Sequence, residues 1–254
     1  MISLRIFGVL VIAALLAGGT SASSGLARAA GPTVTAIDLG TLGGTFSFAT
    51  AVNESGQVVG NSTTARSGFH AFSWTQSGGM VDLGTLGGGG STAADVNARG
   101  QVVGDSNIAA VGIHGFFWTQ SGGMVDLGTL GGTFSTAARV NASGQVVGRS
   151  TIAGDSEAHA FSWTRAGGMV DLGTLGGNVS GAVAVSDSGQ VVGSSTTAAG
   201  VTHAFSWTRT GGMVDLGTLG GAYSQAVAVN ARGDVVGEGE TGGEGEFHAT
   251  LWRT

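Results

Sequence analysis

The sequence has no cysteine, no lysine and a single proline, and each shortage narrows what the chain can be. Without cysteine there is neither a disulfide nor a thiolate nucleophile, so a folded domain must depend on its core. Without lysine, both the P-loop and Schiff-base chemistry are excluded. Only 10% of residues are charged and the formal net charge is −6, which excludes the cationic surface that nucleic-acid binding requires.

Glycine and apolar residues are abundant instead. The chain contains 50 glycines, and 42% of its residues are apolar, including five tryptophans. Disordered chains lack that much material for burial, so we interpret the glycines as turn residues in an all-β chain with many tight reversals. No segment after residue 30 shows a sustained 3.6-residue apolar period, which argues against helices there.

The first thirty residues have the pattern of an export signal. Arg5 precedes an apolar run over residues 6–17, and the small-x-small sequence at 27–29 offers a cleavage site. The run is shorter than the roughly 20 residues that span a bilayer, so no membrane anchor is expected after cleavage. The sequence predicts a cleaved signal peptide over residues 1–29, one domain over residues 30–254, and a secreted protein, extracellular or periplasmic.

The rest of the chain is one unit repeated five times. Gly-Gln-Val-Val-Gly recurs in four units, Gly-Asp-Val-Val-Gly stands in the last, and every histidine and tryptophan belongs to a His-x-x-x-Trp pattern. In the first unit, alternation and turn residues predict four strands over residues 47–53, 57–62, 70–75 and 80–83. Strict alternation places residues 47, 49 and 51 on one face of the first strand. The heptapeptide Asp-Leu-Gly-Thr-Leu-Gly-Gly begins at Asp38, Asp82, Asp126, Asp171 and Asp215, in steps of 44 or 45 residues.

Four strands in 44–45 residues is the size of a propeller blade. The third strand has large residues on one face and small ones on the other, which favours face-to-face stacking with each tryptophan buried between units. We therefore predict an all-β, five-bladed β-propeller, with a right-handed β-solenoid as the alternative. Pairing of a strand over residues 33–39 with one over residues 247–253 is expected to close the ring.

Three motifs carry a resemblance to a known family. His-Ala-Phe at 70, 159 and 203, Asp-Leu-Gly-Thr-Leu-Gly-Gly, and Val-Asn-x-x-Gly-Gln-Val-Val-Gly together resemble the HAF-type extracellular repeat of bacterial proteins. The sequence departs from the pattern at Gly115, Thr250 and Ser186. The resemblance implies a bacterial extracellular protein, and it brings no catalytic residues.

Side chains with catalytic or metal-binding chemistry are spread one per unit. Histidines about 44 residues apart favour hydrogen bonding within each unit over a converging metal site, and the repeated aspartates favour a turn role. Asp95 and Arg139 occupy equivalent positions of neighbouring units, so we predict an ion pair at the central channel and not a pair of catalytic acids. The sequence predicts no catalytic residue, no metal site, no cofactor and no enzymatic activity.

One variable position suggests ligand binding. Phe46, Phe134 and Tyr223 share it, and their rings either stack on sugars or seal the contact between units. The predicted function is a secreted, monomeric, non-catalytic and multivalent module that binds extracellular glycan or another cell-surface ligand. The alternatives are a structural or protein-interaction component of the cell surface and a glycan-active enzyme.

Overall fold

The computed structural model describes residues 34–66, 68–243 and 245–253, so the predicted signal peptide lies outside the described residues. The chain divides into two compact units, residues 1–37 and 38–254. Residues 34–37 carry no regular secondary structure and are exposed. Across the described ranges no helix has the length and apolar character that crossing a bilayer requires.

The second unit is entirely β, which confirms the predicted class, and its strands follow the sequence repeat. We number the repeats 1 to 5 over residues 38–81, 82–125, 126–170, 171–214 and 215–253. Repeats 1 to 4 each show four strands and repeat 5 shows three within the described residues. The strands are β1 Gly43–Val52, β2 Val58–Thr64, β3 Phe69–Thr75, β4 Gly79–Asp82, β5 Gly87–Val96, β6 Val102–Ile108, β7 Ile113–Thr119, β8 Gly123–Asp126, β9 Gly131–Val140, β10 Val146–Ile152, β11 Ala158–Thr164, β12 Gly168–Asp171, β13 Gly176–Val185, β14 Val191–Thr197, β15 Thr202–Thr208, β16 Gly212–Asp215, β17 Gly220–Val229, β18 Val235–Thr241 and β19 Phe247–Trp252.

The turn between the first two strands of a repeat explains the Asn-x-x-Gly that four of the five repeats share. In repeat 1 the Asn53 Oδ1 accepts hydrogen bonds from the backbone N–H groups of Ser55 and Gln57 at 3.1 and 3.0 Å. Gly56 follows with φ 79°, a left-handed conformation that glycine adopts without strain. A glycine is also needed inside the second strand, because an added Cβ at Gly60 would collide with the Phe48 carbonyl of the first strand.

Within a repeat the strands pair antiparallel in sequence order. In repeats 1 to 3 the start of the third strand also makes a parallel bridge to the first strand of the next repeat, as Phe69 does with Gly90. Loops between the second and third strands hold four residues in repeats 1, 2 and 4 and five in repeats 3 and 5. Adjacent repeats are therefore linked by a few bridges and by packing of their faces.

The first strand of each repeat departs from the strict alternation predicted from the sequence. A register shift between Ala93 and Asp95 marks a β-bulge, and the other repeats carry a shift at the same place. The extra residue turns the end of the strand, so Ala93 and Val96 are both buried. The predicted assignment of alternate residues to opposite faces is wrong beyond the bulge.

The apolar core consists of four clusters, one at each contact between successive repeats, which we call seams. Trp118 and Trp163 are 9% and 7% exposed in the first two seams. The other three tryptophans are half-buried. Burial of tryptophan at a seam is thus confirmed for the central repeats and incomplete elsewhere.

In the part of the chain that it describes, the structure does not contain the strand pairing that was predicted to close the ring. Residues 34–39 form no strand, Thr33 lies outside the described residues, and β19 pairs with β18 alone among the described strands. Each repeat satisfies its backbone by pairing with itself and buries its faces on its neighbours in sequence, so no local contact requires repeat 1 to meet repeat 5. The structure is an open stack of repeats that keeps the predicted face-to-face packing.

Candidate interface at the ends of the repeat array

Every repeat presents two different apolar faces. The leading face meets the preceding repeat; in repeat 2 it includes Ala93, Val96, Val102 and Trp118. The trailing face meets the following repeat and is built around the second valine of Gln-Val-Val-Gly and the alanine of His-Ala-Phe. At the first seam the trailing face of repeat 1 supplies Val59 and Ala71, both fully buried.

A ladder of asparagine side chains crosses the first three seams. The Asn53 Nδ2 donates to the backbone carbonyl of Asn97 at 2.9 Å, and Asn97 donates to the carbonyl of Asn141 at 2.8 Å. Asn141 donates in turn to the carbonyl of Ser186 at 3.0 Å. Ser186 has no amide, so this pattern of bonds ends at the seam between repeats 4 and 5. These bonds hold the equivalent turns of neighbouring repeats together, and they give the backbone carbonyls at the seams a hydrogen-bond donor.

Buried serines form a second link across the seams. The backbone N–H of Ala71 donates to the Ser91 Oγ at 3.0 Å, and Ser91 donates in turn to the carbonyl of Gly84 at 2.6 Å. The same pair of bonds recurs at Ser135, Ser180 and Ser224. A small side chain with both a donor and an acceptor lets the third strand lie directly against the next repeat.

The leading face of repeat 1 has no repeat packed on it. Val52 is 62% exposed, whereas its equivalents Val96 and Val140 are each 7% exposed. Ala49 is exposed too, although its equivalent Ala93 is 3% exposed.

The trailing face of repeat 5 is open in the same way. Val236 is 43% exposed, while its four equivalents in repeats 1 to 4 are fully buried. Ala249 is exposed, Leu251 is 48% exposed, and Val227 is 55% exposed. The two ends of the array therefore display the two halves of a seam.

Four histidines and four aspartates form identical pairs. The His70 Nδ1 lies 2.8 Å from the Asp82 Oδ2, and Asp82 also accepts a hydrogen bond from the Gly84 N–H. The structure thus shows a hydrogen-bonded role for the histidine and a turn role for the aspartate. The sequence signal of these pairs is the constant spacing of twelve residues between the histidine and the aspartate. The remaining pairs are His114–Asp126, His159–Asp171 and His203–Asp215.

These pairs do not converge on a common centre. Within the described ranges, no three histidine, aspartate or glutamate side chains are grouped as metal ligands would be. Each pair joins the third strand of one repeat to the residue that opens the next repeat. Each histidine–aspartate pair therefore holds two neighbouring strands together.

The predicted ligand-binding aromatic residues have three different surroundings. Phe46 is 53% exposed and packs against Phe48, with ring centroids 5.7 Å apart. Phe134 is half-buried beneath the Arg149 guanidinium, 5.7 Å from the ring centroid. The Tyr223 hydroxyl donates to the Gln225 Oε1 at 2.6 Å, and burial, with Glu238 second, raises its pKa.

Asp95 lies at the seam between repeats 2 and 3, and Arg139 is an exposed residue of repeat 3. The Asp95 Oδ2 accepts a hydrogen bond from the Val140 N–H at 3.1 Å, while the Arg139 Nη1 donates to the Ala138 carbonyl at 2.7 Å. Asp95 therefore ties one repeat to the next. The predicted ion pair between the two side chains stays a prediction.

Comparisons with known proteins add little to this geometry. No protein-family model matches the chain, and no curated protein is similar to it. A solved X-ray structure described as that of a candidate gluconolactonase is 13% identical, with a TM-score of 0.41. The match covers 72% of this chain and 67% of that one.

The prediction of a non-catalytic, multivalent binding module is corrected. One solved structure that the chain resembles is described as that of a candidate enzyme. Multivalent binding also needs equivalent sites, whereas the three aromatic residues meet different neighbours. At 13% identity and this TM-score, the likeness assigns no activity to the present chain.

Proposed function

We propose that this chain is an assembly unit that joins end to end with copies of itself. The observation that carries the proposal is that the ends of the array expose complementary faces. Val52 on repeat 1 and Val236 on repeat 5 are exposed, and their equivalents are buried at interior seams. A second copy placed in sequence register would make a fifth seam of the kind that the structure already contains four times.

The energetics favour such contact. Fully burying one valine side chain contributes about 1.5–3 kcal/mol, and each end face carries several partly exposed apolar residues. Repeat arrays normally carry polar outer faces on their terminal repeats, and both end faces here are apolar. The interior seams show the geometry of the contact, with a Val59-type residue packed among Ala93-type and Val102-type residues.

The proposed contact is head to tail, because the leading and trailing faces differ. Heterologous contacts of this kind give rings when the rotation closes and filaments when it does not. If the two ends of one chain met each other, the result would be the closed, five-bladed propeller that the sequence predicts. Ring closure within one chain is therefore the competing outcome, and it corresponds to the predicted monomer.

Two charge substitutions test the proposal. Val52→Glu and Val236→Glu each place a carboxylate in one half of the contact, so each variant alone should stay monomeric while the wild type forms larger species. An equimolar mixture should form one-to-one dimers, because the intact trailing face of one variant fits the intact leading face of the other. Sedimentation velocity measures all of these species.

Val170→Glu is the matched control, since Val170 is 43% exposed on the short strand β12, away from both ends. It should assemble as the wild type does. A wild type that is monomeric at all concentrations, or a mixture of the two end variants that stays monomeric, would contradict the proposal.

We further propose that assembly takes place outside the cytoplasm and that the repeats are of the HAF type. The export pattern over residues 6–17 and 27–29 and the recurrence of the three motifs along the chain support this. Mass spectrometry of protein recovered from a bacterial culture tests it. A mature N-terminus at Ala30 is expected, and an intact Met1 start in recovered protein would contradict export.

A further inference from the structure

A cavity borders repeat 2, and the equivalent position in the other repeats shows which kind of side chain would fill it. Its volume is about 360 Å³, and its walls include Phe69, Gly90, Asp105, Ile113 and Phe134. Phe69 belongs to repeat 1 and Phe134 to repeat 3, so the cavity lies where three repeats meet. Its lining is mainly apolar, with the Asp105 carboxylate as its charged group.

The cavity exists where repeat 2 lacks a side chain. Gly90 occupies the repeat position held by Phe46, Phe134, Val179 and Tyr223 in the other four repeats. An aromatic ring at this position is thus normal for the fold.

The residue at the repeat position of Asp105 lies beside that ring. In repeat 3 this residue is Arg149, whose guanidinium lies 5.7 Å from the centre of the Phe134 ring. In repeat 5 it is Glu238, which helps to raise the pKa of Tyr223. Repeat 2 therefore keeps the charged partner and lacks the ring.

Asp105 is held in place by the next repeat. Its Oδ1 accepts a hydrogen bond from the Ala137 N–H at 2.9 Å, and the same carboxylate lines the cavity. Burial raises the pKa of Asp105 to about 6, an effect that the Ala137 N–H and the Arg149 guanidinium partly offset. A half-buried, partly desolvated carboxylate of this kind gains from a ligand that brings a positive charge or a hydrogen-bond donor.

We propose that this cavity binds a small aromatic amine, whose ring takes the place of the missing side chain at Gly90 and whose ammonium group pairs with Asp105. Phe69 and Phe134 supply aromatic contacts for the ring and for the cation. The site is independent of the proposed assembly, because the cavity is lined by residues of repeats 1 to 3 and by none of the apolar residues of the two end faces.

Benzylamine is the probe, followed by the chemical shift of the Ala137 amide and by calorimetry at pH 7.5. One saturable site per chain is expected, with affinity in the millimolar range for so small a ligand. Phenylacetate, which has the same ring and a negative charge, should bind at least about tenfold more weakly, as loss of a charge pairing implies.

Asp105→Asn is the decisive variant, because Asn61 stands at this position in repeat 1 and its Oδ1 accepts the same bond from Ala93. It should weaken benzylamine binding about tenfold or more and leave the affinity for benzyl alcohol nearly unchanged. Glu238→Gln removes an acid from the same repeat position in repeat 5, where Tyr223 already supplies the ring, and should bind benzylamine as the wild type does.

Gly90→Val tests the cavity by a second route, since Val179 holds this position in repeat 4. It should reduce binding of both benzylamine and benzyl alcohol, with circular dichroism confirming the fold. No saturable response to millimolar benzylamine, or binding that Asp105→Asn leaves unchanged, would overturn the proposal.

Discussion

Trp118 and Trp74 occupy the same position of the repeat but have different surroundings. Trp118 is 9% exposed because repeat 1 covers it, whereas Trp74 lies on the open leading face of repeat 1 and is half-buried. Val96 and Val52 show the same contrast at 7% and 62% exposure. The difference teaches that a repeat does not bury its own large residues, and that neighbouring repeats do so at the seams.

The largest expected effect tests this contrast directly. Trp118→Ala should lower the free energy of unfolding by about 3–5 kcal/mol, because it empties a buried position in the first seam. Trp74→Ala should cost about 1–2 kcal/mol, because no preceding repeat covers its ring and less apolar surface is lost from burial. Urea denaturation of dilute protein measures both, and equal losses would show that burial of the tryptophan does not depend on the neighbouring repeat.

A smaller effect separates the first seam from the second. Asn61 and Asp105 accept the same bond from the next repeat, but Asp105 does so as a half-buried acid whose pKa is raised to about 6. Because the folded protein holds this proton more tightly than the unfolded chain does, the stabilising contribution is complete below pH 3.8 and is lost as the pH rises through about 6.

Asp105→Asn should therefore be more stable than the wild type at pH 7.5, by about 1–3 kcal/mol, and should lose this advantage near pH 4. Chemical denaturation at the two pH values measures the difference. Glu238→Gln removes an exposed carboxylate at the same repeat position and is the control for the loss of one negative charge. A variant that is less stable than the wild type at pH 7.5 would refute the assigned cost of the buried charge.

The smallest effect distinguishes the third seam from the fourth. Asn141 bonds across the third seam, but Ser186 has no amide with which to reach repeat 5. Ser186→Asn should extend the ladder to the carbonyl of residue 230 and raise the free energy of unfolding by about 0.5–1.5 kcal/mol. Asn141→Ser is the reciprocal change and should lower it. If Ser186→Asn is destabilising, the fourth seam differs in geometry from the other three.

The strands were predictable because their signals are local. Gly-Gln-Val-Val-Gly and His-x-x-x-Trp recur with alternating faces, and the observed second and third strands begin and end within two residues of the prediction. The bulge at Ala93 was not predictable, because the small residues around it give neither face of the strand a distinct pattern. Ring closure was wrong because it depends on contacts between the ends of the array, which no local pattern specifies.

The candidate site was only partly visible in the sequence. The missing ring at Gly90 can be read from the aligned repeats, as a gap in a column of Phe46, Phe134 and Tyr223. Its importance depends on Asp105, which lies on the neighbouring strand, and on Phe69 from the preceding repeat. Only the pairing of β5 with β6 and the packing of three repeats bring these residues together.

The loops between the second and third strands differ in length without disturbing the seams. Repeat 3 has five residues there instead of four, and Asp155 adopts φ 57° within that loop. The ladder bond from Asn141 to the next repeat keeps its length of 3.0 Å, although the two residues are 45 positions apart instead of 44. Each loop is therefore a natural place to graft a foreign peptide, and the array offers a row of display positions whose sequence can be changed without redesigning the scaffold.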